Sequence, residues 1–422
     1  MWLRDSANQV QSYLPLLEAS DSAHSLASLY RGVINLQARY ILTDPYCNAF
    51  QPPVESGIPP SDNDAASEDT VTPKYNNQSV FECKYELDSL AAFLEVSRNY
   101  YNATQDISFF KKYNWVSAIS SIMDVAEGQM IPTYQPNGNV SVLDYTFTRF
   151  TDRASETTEN DGLGNPVDSG TGLIRSFFRP SDDATIFQFL VPSNMMFATF
   201  LEPCADIMAQ IDGCSHLANR MRQLVTSLRQ SIEAHAVSHS KKYGSFYPYE
   251  VDGYMGQNVM DDANIPSLLA APFYGYLDVN DETYQNTRKL ILSADNPYFM
   301  RGPVISAIGG PHNGPGYAWP MASIVQILTS TDDGEIVRQL GEIVGSTDGL
   351  GLIHESINSF NSSDWTRQCS SSHALALNKQ IADLCAGFSW ANGLFGQMIL
   401  DLDNRKPGLL KQSFQGNGSY SV

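Results

Sequence analysis

The stretch Gly172-Leu-Ile-Arg-Ser-Phe-Phe-Arg-Pro-Ser-Asp-Asp-Ala-Thr-Ile-Phe-Gln-Phe-Leu-Val-Pro-Ser-Asn194 decides how the rest of the chain is read. Glycine and aromatic residues lead into Arg179-Pro180-Ser181, the adjacent carboxylates Asp182 and Asp183 follow, and only then comes an apolar run that suits a buried helix. Ser or Asp ahead of such a run is a helix N-cap signal, because the side-chain oxygen accepts an unpaired N–H of the first turn. One carboxylate suffices for a cap. The stretch therefore predicts a loop that delivers acid groups to a helix start, with one carboxylate to spare.

Outward from there the chain is helical in pattern. Leu14, Leu16 and Leu17, then Leu26, Leu29, Ile34 and Leu36, predict two amphipathic helices joined near residues 20–25. Residues 44–80, rich in Pro, Ser, Asp and Asn, read as a long surface loop. Helical spacing resumes at 85–101 and 108–127, short β-like pieces follow at 130–134 and 140–147, and further helices are expected at 194–209, 214–237, 265–277, 282–293, 320–330, 333–344 and 388–402. Paired helices joined by polar loops predict an all-α protein, an α/α toroid with small β pieces on one face; a superhelical solenoid shares the local pattern.

Polar motifs recur ahead of these helices: Trp2-Leu3-Arg4-Asp5-Ser6, Arg179 to Asp183, Met260-Asp261-Asp262-Ala263-Asn264, Gly310-Pro311-His312, Gly349 to Ser356 and Phe388-Ser389-Trp390-Ala391-Asn392. If alternate helices form an inner ring, their N-terminal ends share a face and these groups converge on one pit.

Composition narrows the function. Hydrophobic residues at 42% and charged residues at 17% allow a large core and exclude a disordered chain. A formal net charge of −20 argues against nucleic acid or an anionic membrane as partner, since both select basic patches. No segment reaches the length of a membrane span. The six cysteines form no Cys-x-x-Cys pair, so zinc and thioredoxin-like readings fail, while Cys204 and Cys214 are close enough in sequence to close a short disulfide loop. Asn-x-Ser/Thr acceptors at Asn77, Asn102, Asn139, Asn361 and Asn417 point to the secretory pathway. His235 and His239 lie four apart with Ala-Val-Ser between them, which lacks the glutamate of the zinc proteases and reads as a solvated helix face. The Gly-x-Ser-x-Gly elbow of serine hydrolases is absent as well.

What remains is a set of carboxylates: Asp5, Asp182, Asp183, Asp261, Asp262 and Glu355. Opposed carboxyl groups can divide acid and base roles when burial and repulsion push their pKa values apart, and glycoside hydrolysis uses that pairing. Taken together and in order, Trp2 to Ser6, Phe178 to Asp183, Met260 to Asn264, Gly310 to His312, His354-Glu355-Ser356 and Ser389 to Asn392 resemble glycoside hydrolase family 125. The resemblance covers most of the chain. It implies an (α/α)6 toroid as a single catalytic domain over 1–422 and a metal-independent, cofactor-free exo-α-1,6-mannosidase that inverts the anomeric centre and acts on mannose-containing glycans. It further implies that Glu355 is the catalytic base and that Asp182 or Asp183 is the acid. Arg4, Asp5, Arg179, Asp262 and His312 would bind mannose hydroxyls, with Trp390 as an apolar wall.

Two departures from the family pattern accompany the resemblance. Helical sequence expected upstream of Trp2 is missing, so the toroid is expected to be incomplete at its N-terminus, and the missing piece is where a signal or membrane anchor would lie. Residues 369–387 interrupt a run that the family makes almost continuous, and read as an insertion or a translated intron beside Glu355. The rivals are an α/α-toroid α-glucosidase, an α/α-toroid sugar epimerase, which would call on paired histidines, and a non-catalytic glycan-binding protein.

Overall fold

The computed structural model describes residues 1–366 and 388–412; the expected insertion at 369–387 lies outside the described residues, as does Asn417. Helices dominate, with short two- and three-stranded antiparallel ribbons between them. The chain divides into two compact units, residues 1–239 with 247–259, and 240–246 with 260 onward.

The first unit contains α1 (Leu3–Gln11), α2 (Leu26–Thr43), α3 (Leu87–Thr104), α4 (Ile107–Lys112), α5 (Trp115–Gly128), α6 (Val191–Met208) and α7 (Ser215–His235). α3 and α6 pack on each other and are buried on almost every face, as expected of helices surrounded by protein. α1 and α2 cover α3, α5 packs on α2, and α7 lays Met221, Leu224, Val225, Leu228 and Ile232 along α6. Ser25 caps α2 by accepting the Ser28 N–H, at the joint expected from the sequence.

The second unit contains α8 (Glu282–Ile291), α9 (Pro320–Leu328), α10 (Asp333–Gly345) and α11 (Ser389–Arg405), with α9 packed against both α10 and α11. Its three-stranded ribbon pairs Tyr317–Ala318 with Ile357–Asn358, and the latter with Asn361–Trp365.

Several sequence expectations give way to tertiary structure. The first helix is α1, so Leu3-Arg4-Asp5-Ser6 form its first turn rather than precede it; Leu14 and Leu16 fall in a 3-10 turn and Leu16 is exposed. The helix expected at 108–127 breaks between α4 and α5, where Tyr113 takes an extended backbone. Residues 265–277 form successive turns: Pro266 and Pro272 remove two backbone donors, and the Asp261 carboxylate takes the N–H groups of Leu268 and Leu269. Asp182 and Asp183 cap nothing, because α6 begins only at Val191 and its N-cap Leu190 makes no side-chain cap. Cys204 and Cys214 are free, Cys204 lying inside α6 and Cys214 preceding α7; the disulfide joins Cys47 to Cys83 instead.

Candidate functional site

In the first unit the Arg179–Asp183 motif forms the tip of a narrow ribbon. The Asp182 N–H donates to the Arg179 carbonyl at 2.9 Å, the Arg179 N–H donates to the Asp183 carbonyl at 2.8 Å, and Phe178 pairs with Ala184. Pro180 presets the turn. Asp182 sits in the left-handed region at φ +66°, a position usually left to glycine and tolerated by Asp better than by most side chains. Such strain persists where surrounding contacts enforce it. Here they are explicit: Lys84 Nζ donates to the Asp182 carbonyl at 3.1 Å, Asn48 Nδ2 donates to its Oδ1 at 3.3 Å, and the Asn48 Oδ1 accepts the Lys84 N–H at 3.1 Å. The Cys47–Cys83 disulfide flanks both Asn48 and Lys84, so it staples the platform that holds Asp182.

The ribbon is anchored at Arg179, whose Nε donates to Glu250 Oε1 at 2.7 Å while its guanidinium lies over the Tyr249 ring. Glu250 is fully buried, and its other oxygen accepts from Asn258 Nδ2 and from the N–H groups of Ile186 and Phe187. Asp183 is 1% exposed and accepts the Ser181 hydroxyl at 3.2 Å, whereas Asp182 is half-buried.

Arg4 and Asp5 come from the first turn of α1. Arg4 is buried, and its NH1 donates to Glu86 Oε2 at 2.6 Å and Asp88 Oδ2 at 2.9 Å; Asp5 is half-buried and 3.7 Å from the same guanidinium. Burial alone would lower the Arg4 pKa, but Glu86, Asp88, Asp5 and Asp182 outweigh it and hold the guanidinium charged. Burial raises Glu86, Asp88 and Asp5 above the ordinary carboxylate range against the pull of Arg4, and Asp182 adds to the rise at Glu86 and Asp5. The structure thus groups Arg4, Asp5 and Asp182 in one electrostatic cluster with Lys84, Glu86 and Asp88. The last three were not singled out from the sequence, although Lys84-Tyr85-Glu86-Leu87-Asp88 places three charges at alternate positions where an otherwise apolar helix begins.

In the second unit Asp261 is fully buried, bonded to the Leu268 and Leu269 N–H groups at 2.8 and 3.0 Å, and pushed up to about 8 by burial. It organises turns. Asp262, 1% exposed, accepts from Asn264 and lies under Gly310, where a Cβ would come within 2.9 Å of its carboxylate. His312, two residues on, is half-buried with its ring 6.2 Å from that of Trp319; Trp319 continues to Phe388 and Phe388 to Trp390, each at 6.1 Å. Trp390 is 1% exposed, so its ring sits in the core of the unit rather than forming the open wall expected of it.

Glu355 is half-buried, between buried His354, stacked on Trp365 at 4.0 Å, and buried Ser356. Its Oε2 accepts the Thr366 hydroxyl at 2.8 Å. Two residues earlier Ile353 is clamped by Asn392: the Ile353 N–H donates to Asn392 Oδ1 at 3.0 Å, and Asn392 Nδ2 donates to the Ile353 carbonyl at 2.9 Å and the Phe388 carbonyl at 2.8 Å. The Phe388 N–H also donates to the Ile353 carbonyl at 2.9 Å. Thr366 and Phe388 are therefore both bonded to the 353–356 segment.

The arrangement offers half-buried carboxyl groups on rigid supports, the equipment of general acid and base catalysis. Residues 1–400 match the family described as metal-independent α-mannosidases, GH125. The chain belongs to glycoside hydrolase family 125. It is 44% identical over 414 residues to the meiotically up-regulated gene 157 protein of Schizosaccharomyces pombe, which covers 98% of this chain and 76% of that protein. It also resembles a metal-independent α-mannosidase of Streptococcus pneumoniae, solved as a non-productive substrate complex with α-1,6-mannobiose, at 32% identity and a TM-score of 0.81 over 95% of this chain and 85% of that one. This family 125 protein is accordingly a glycoside hydrolase of the α-mannosidase class.

Proposed function

We propose that the chain is an inverting exo-α-1,6-mannosidase in which Asp182 is the general acid and Glu355 the general base, within one (α/α)6 catalytic domain. The observation that carries the role assignment is exposure. Asp183, Asp261 and Asp262 are 1% exposed or less, whereas Asp182 and Glu355 are half-buried and so able to exchange protons with a substrate. Asp182 lies in a cluster of buried charges with Arg4, Lys84, Asp5 and Glu86, and Glu355 accepts the Thr366 hydroxyl, so each carboxyl group is held by specific partners. Asp182 would protonate the glycosidic oxygen as the bond to the anomeric carbon breaks. Glu355 would take a proton from the water that attacks the opposite face, so mannose leaves as the β-anomer.

Asp5 and His312, both half-buried, are the residues best placed to contact sugar hydroxyls. Arg4, Arg179, Asp262 and Trp390 are buried, and their role in this reading is to hold the contacting groups. The 1,6 linkage is supported by the mannobiose bound to the streptococcal relative. A secretory location is supported by the Cys47–Cys83 disulfide and by the exposure of Asn77, Asn102, Asn139 and Asn361, and mass spectrometry of the native protein showing all four unmodified would count against it.

The test is proton NMR of the sugar released from α-1,6-, α-1,3- and α-1,2-mannobiose. β-Mannose first, from the 1,6 substrate above the others, is expected; α-mannose first would refute inversion. Glu355→Gln and Asp182→Asn should each lower kcat by about 10²–10⁴-fold, the usual contribution of general acid–base catalysis. Asp183→Asn should lower it less, and the reverse order would move the acid to Asp183.

A further inference from the structure

Glu355 follows a fixed loop, but a glutamate side chain has three rotatable bonds, and the last of them is soft. A base must point one oxygen at the attacking water within hydrogen-bond reach. We infer that Thr366 is the positioning residue of Glu355, and that Ser356 sets the direction of its hydroxyl proton.

The hydrogen bonds leave Thr366 one role. Its single hydroxyl proton goes to Glu355 Oε2 at 2.8 Å. The Ser356 N–H donates to Thr366 Oγ1 at 3.2 Å, and the Ser356 and Thr366 hydroxyl oxygens lie 2.8 Å apart. A base in the charged form only accepts, so with Glu355 in that proposed role the Thr366 proton is committed to it and the shared bond runs from Ser356 to Thr366. Protons therefore point in one sense, Ser356 to Thr366 to Glu355, each donor polarised by the one behind it.

The hairpin supplies the register. Ile357 pairs with Trp365, so Ser356 falls opposite Thr366, and the Thr366 N–H donates to the Ser356 carbonyl at 3.0 Å. The hairpin is fixed further along by Asn358 Nδ2 and the Tyr317 hydroxyl, both donating to Asp364. Ser356 is fully buried, which shields its hydroxyl from competing water. Threonine suits the position because its branched Cβ restricts χ1 and holds the hydroxyl where serine would have more freedom.

The inference rests on the reading of Glu355 as the base, and the experiment separates the two. Thr366→Val, Thr366→Ser and Glu355→Gln are made in the full chain and assayed on α-1,6-mannobiose, with thermal unfolding of each. Thr366→Val keeps the branched shape and deletes the donor. Its kcat should fall about 10-fold or more, the scale of a lost hydrogen bond to a charged group, with KM within about 2-fold. Thr366→Ser should recover most of the loss. Thr366→Val at wild-type kcat, or Thr366→Ser as slow as Thr366→Val, overturns the positioning role, and a fall that tracks a lowered Tm alone in both variants does the same. If Glu355→Gln keeps its rate, the assignment of the base fails and takes this inference with it; if it is inactive while Thr366→Val is unaffected, the inference fails alone.

Discussion

The two half-buried carboxyl groups stand in different surroundings. Asp182 stands among formal charges, with Arg4 and Lys84 on one side of the balance and Asp5 and Glu86 on the other. Among the contacts of Glu355 are a threonine hydroxyl on the side chain and, two residues earlier, an asparagine amide that clamps the loop. In the proposed mechanism the bond from Thr366 serves to direct Glu355, whereas the cluster around Asp182 buries ions whose desolvation their pairing only partly offsets.

The sharpest way to break this comparison is to remove a cation from the charged side. Arg4→Met keeps most of the side-chain volume but leaves Glu86 and Asp88 buried without their partner. Orphaning a buried charge costs about 3–5 kcal/mol, so a large drop in Tm is expected, along with lost activity. Adding Glu86→Gln and Asp88→Asn to the same chain should restore part of the stability. If Arg4→Met alone is as stable as the parent, the cluster is not the electrostatic unit described.

A smaller effect should follow from opening the disulfide. Cys47 and Cys83 are 36 residues apart, and a crosslink of that span typically stabilises by about 2–4 kcal/mol. The paired Cys47→Ser and Cys83→Ser substitutions should lower Tm accordingly. Because Asn48 and Lys84 stand next to the two sulfurs, they should also lower kcat more than KM changes. A variant that loses stability but keeps kcat would show that Asp182 is held without the staple.

How much of this was legible in the sequence depends on the range of the interaction. Periodicity located α2, α3, α6, α7 and α8 to α11 to within a few residues, because a helix buries its apolar face by local spacing. It misplaced the first helix and missed the break at Tyr113, where tertiary contacts override propensity. The motif residues Asp182 and Glu355 were visible as types out of pattern. Their supports were not. Glu86 and Asp88 are more than 80 positions from Arg4, Glu250 is 71 from Arg179, and Asn48 is 134 from Asp182, so nothing local announces the pairings. The same holds for the disulfide, where the near neighbours Cys204 and Cys214 were the natural guess and a buried helix position for Cys204 ruled it out.

The neutral side of the comparison is tested by Asn392. Its amide makes three hydrogen bonds to the backbone of Ile353 and Phe388, one received by Oδ1 and two given by Nδ2, so its orientation is fixed by the partners. Asn392→Ala strands a donor and leaves the Phe388 carbonyl without this partner, which costs about 1–3 kcal/mol. The Ile353 carbonyl still accepts from the Phe388 N–H, so the loop should loosen rather than unfold. Glu355 lies two residues from the lost clamp, and in its proposed role as base a small displacement is enough to slow proton transfer. The expected result is a modest fall in Tm with a several-fold fall in kcat on α-1,6-mannobiose. Asn392→Asp should be worse than Ala, since its second oxygen would face two carbonyl acceptors. If both variants lower Tm yet leave kcat at the parental value, the asparagine clamp is structural only and does not set the orientation of Glu355.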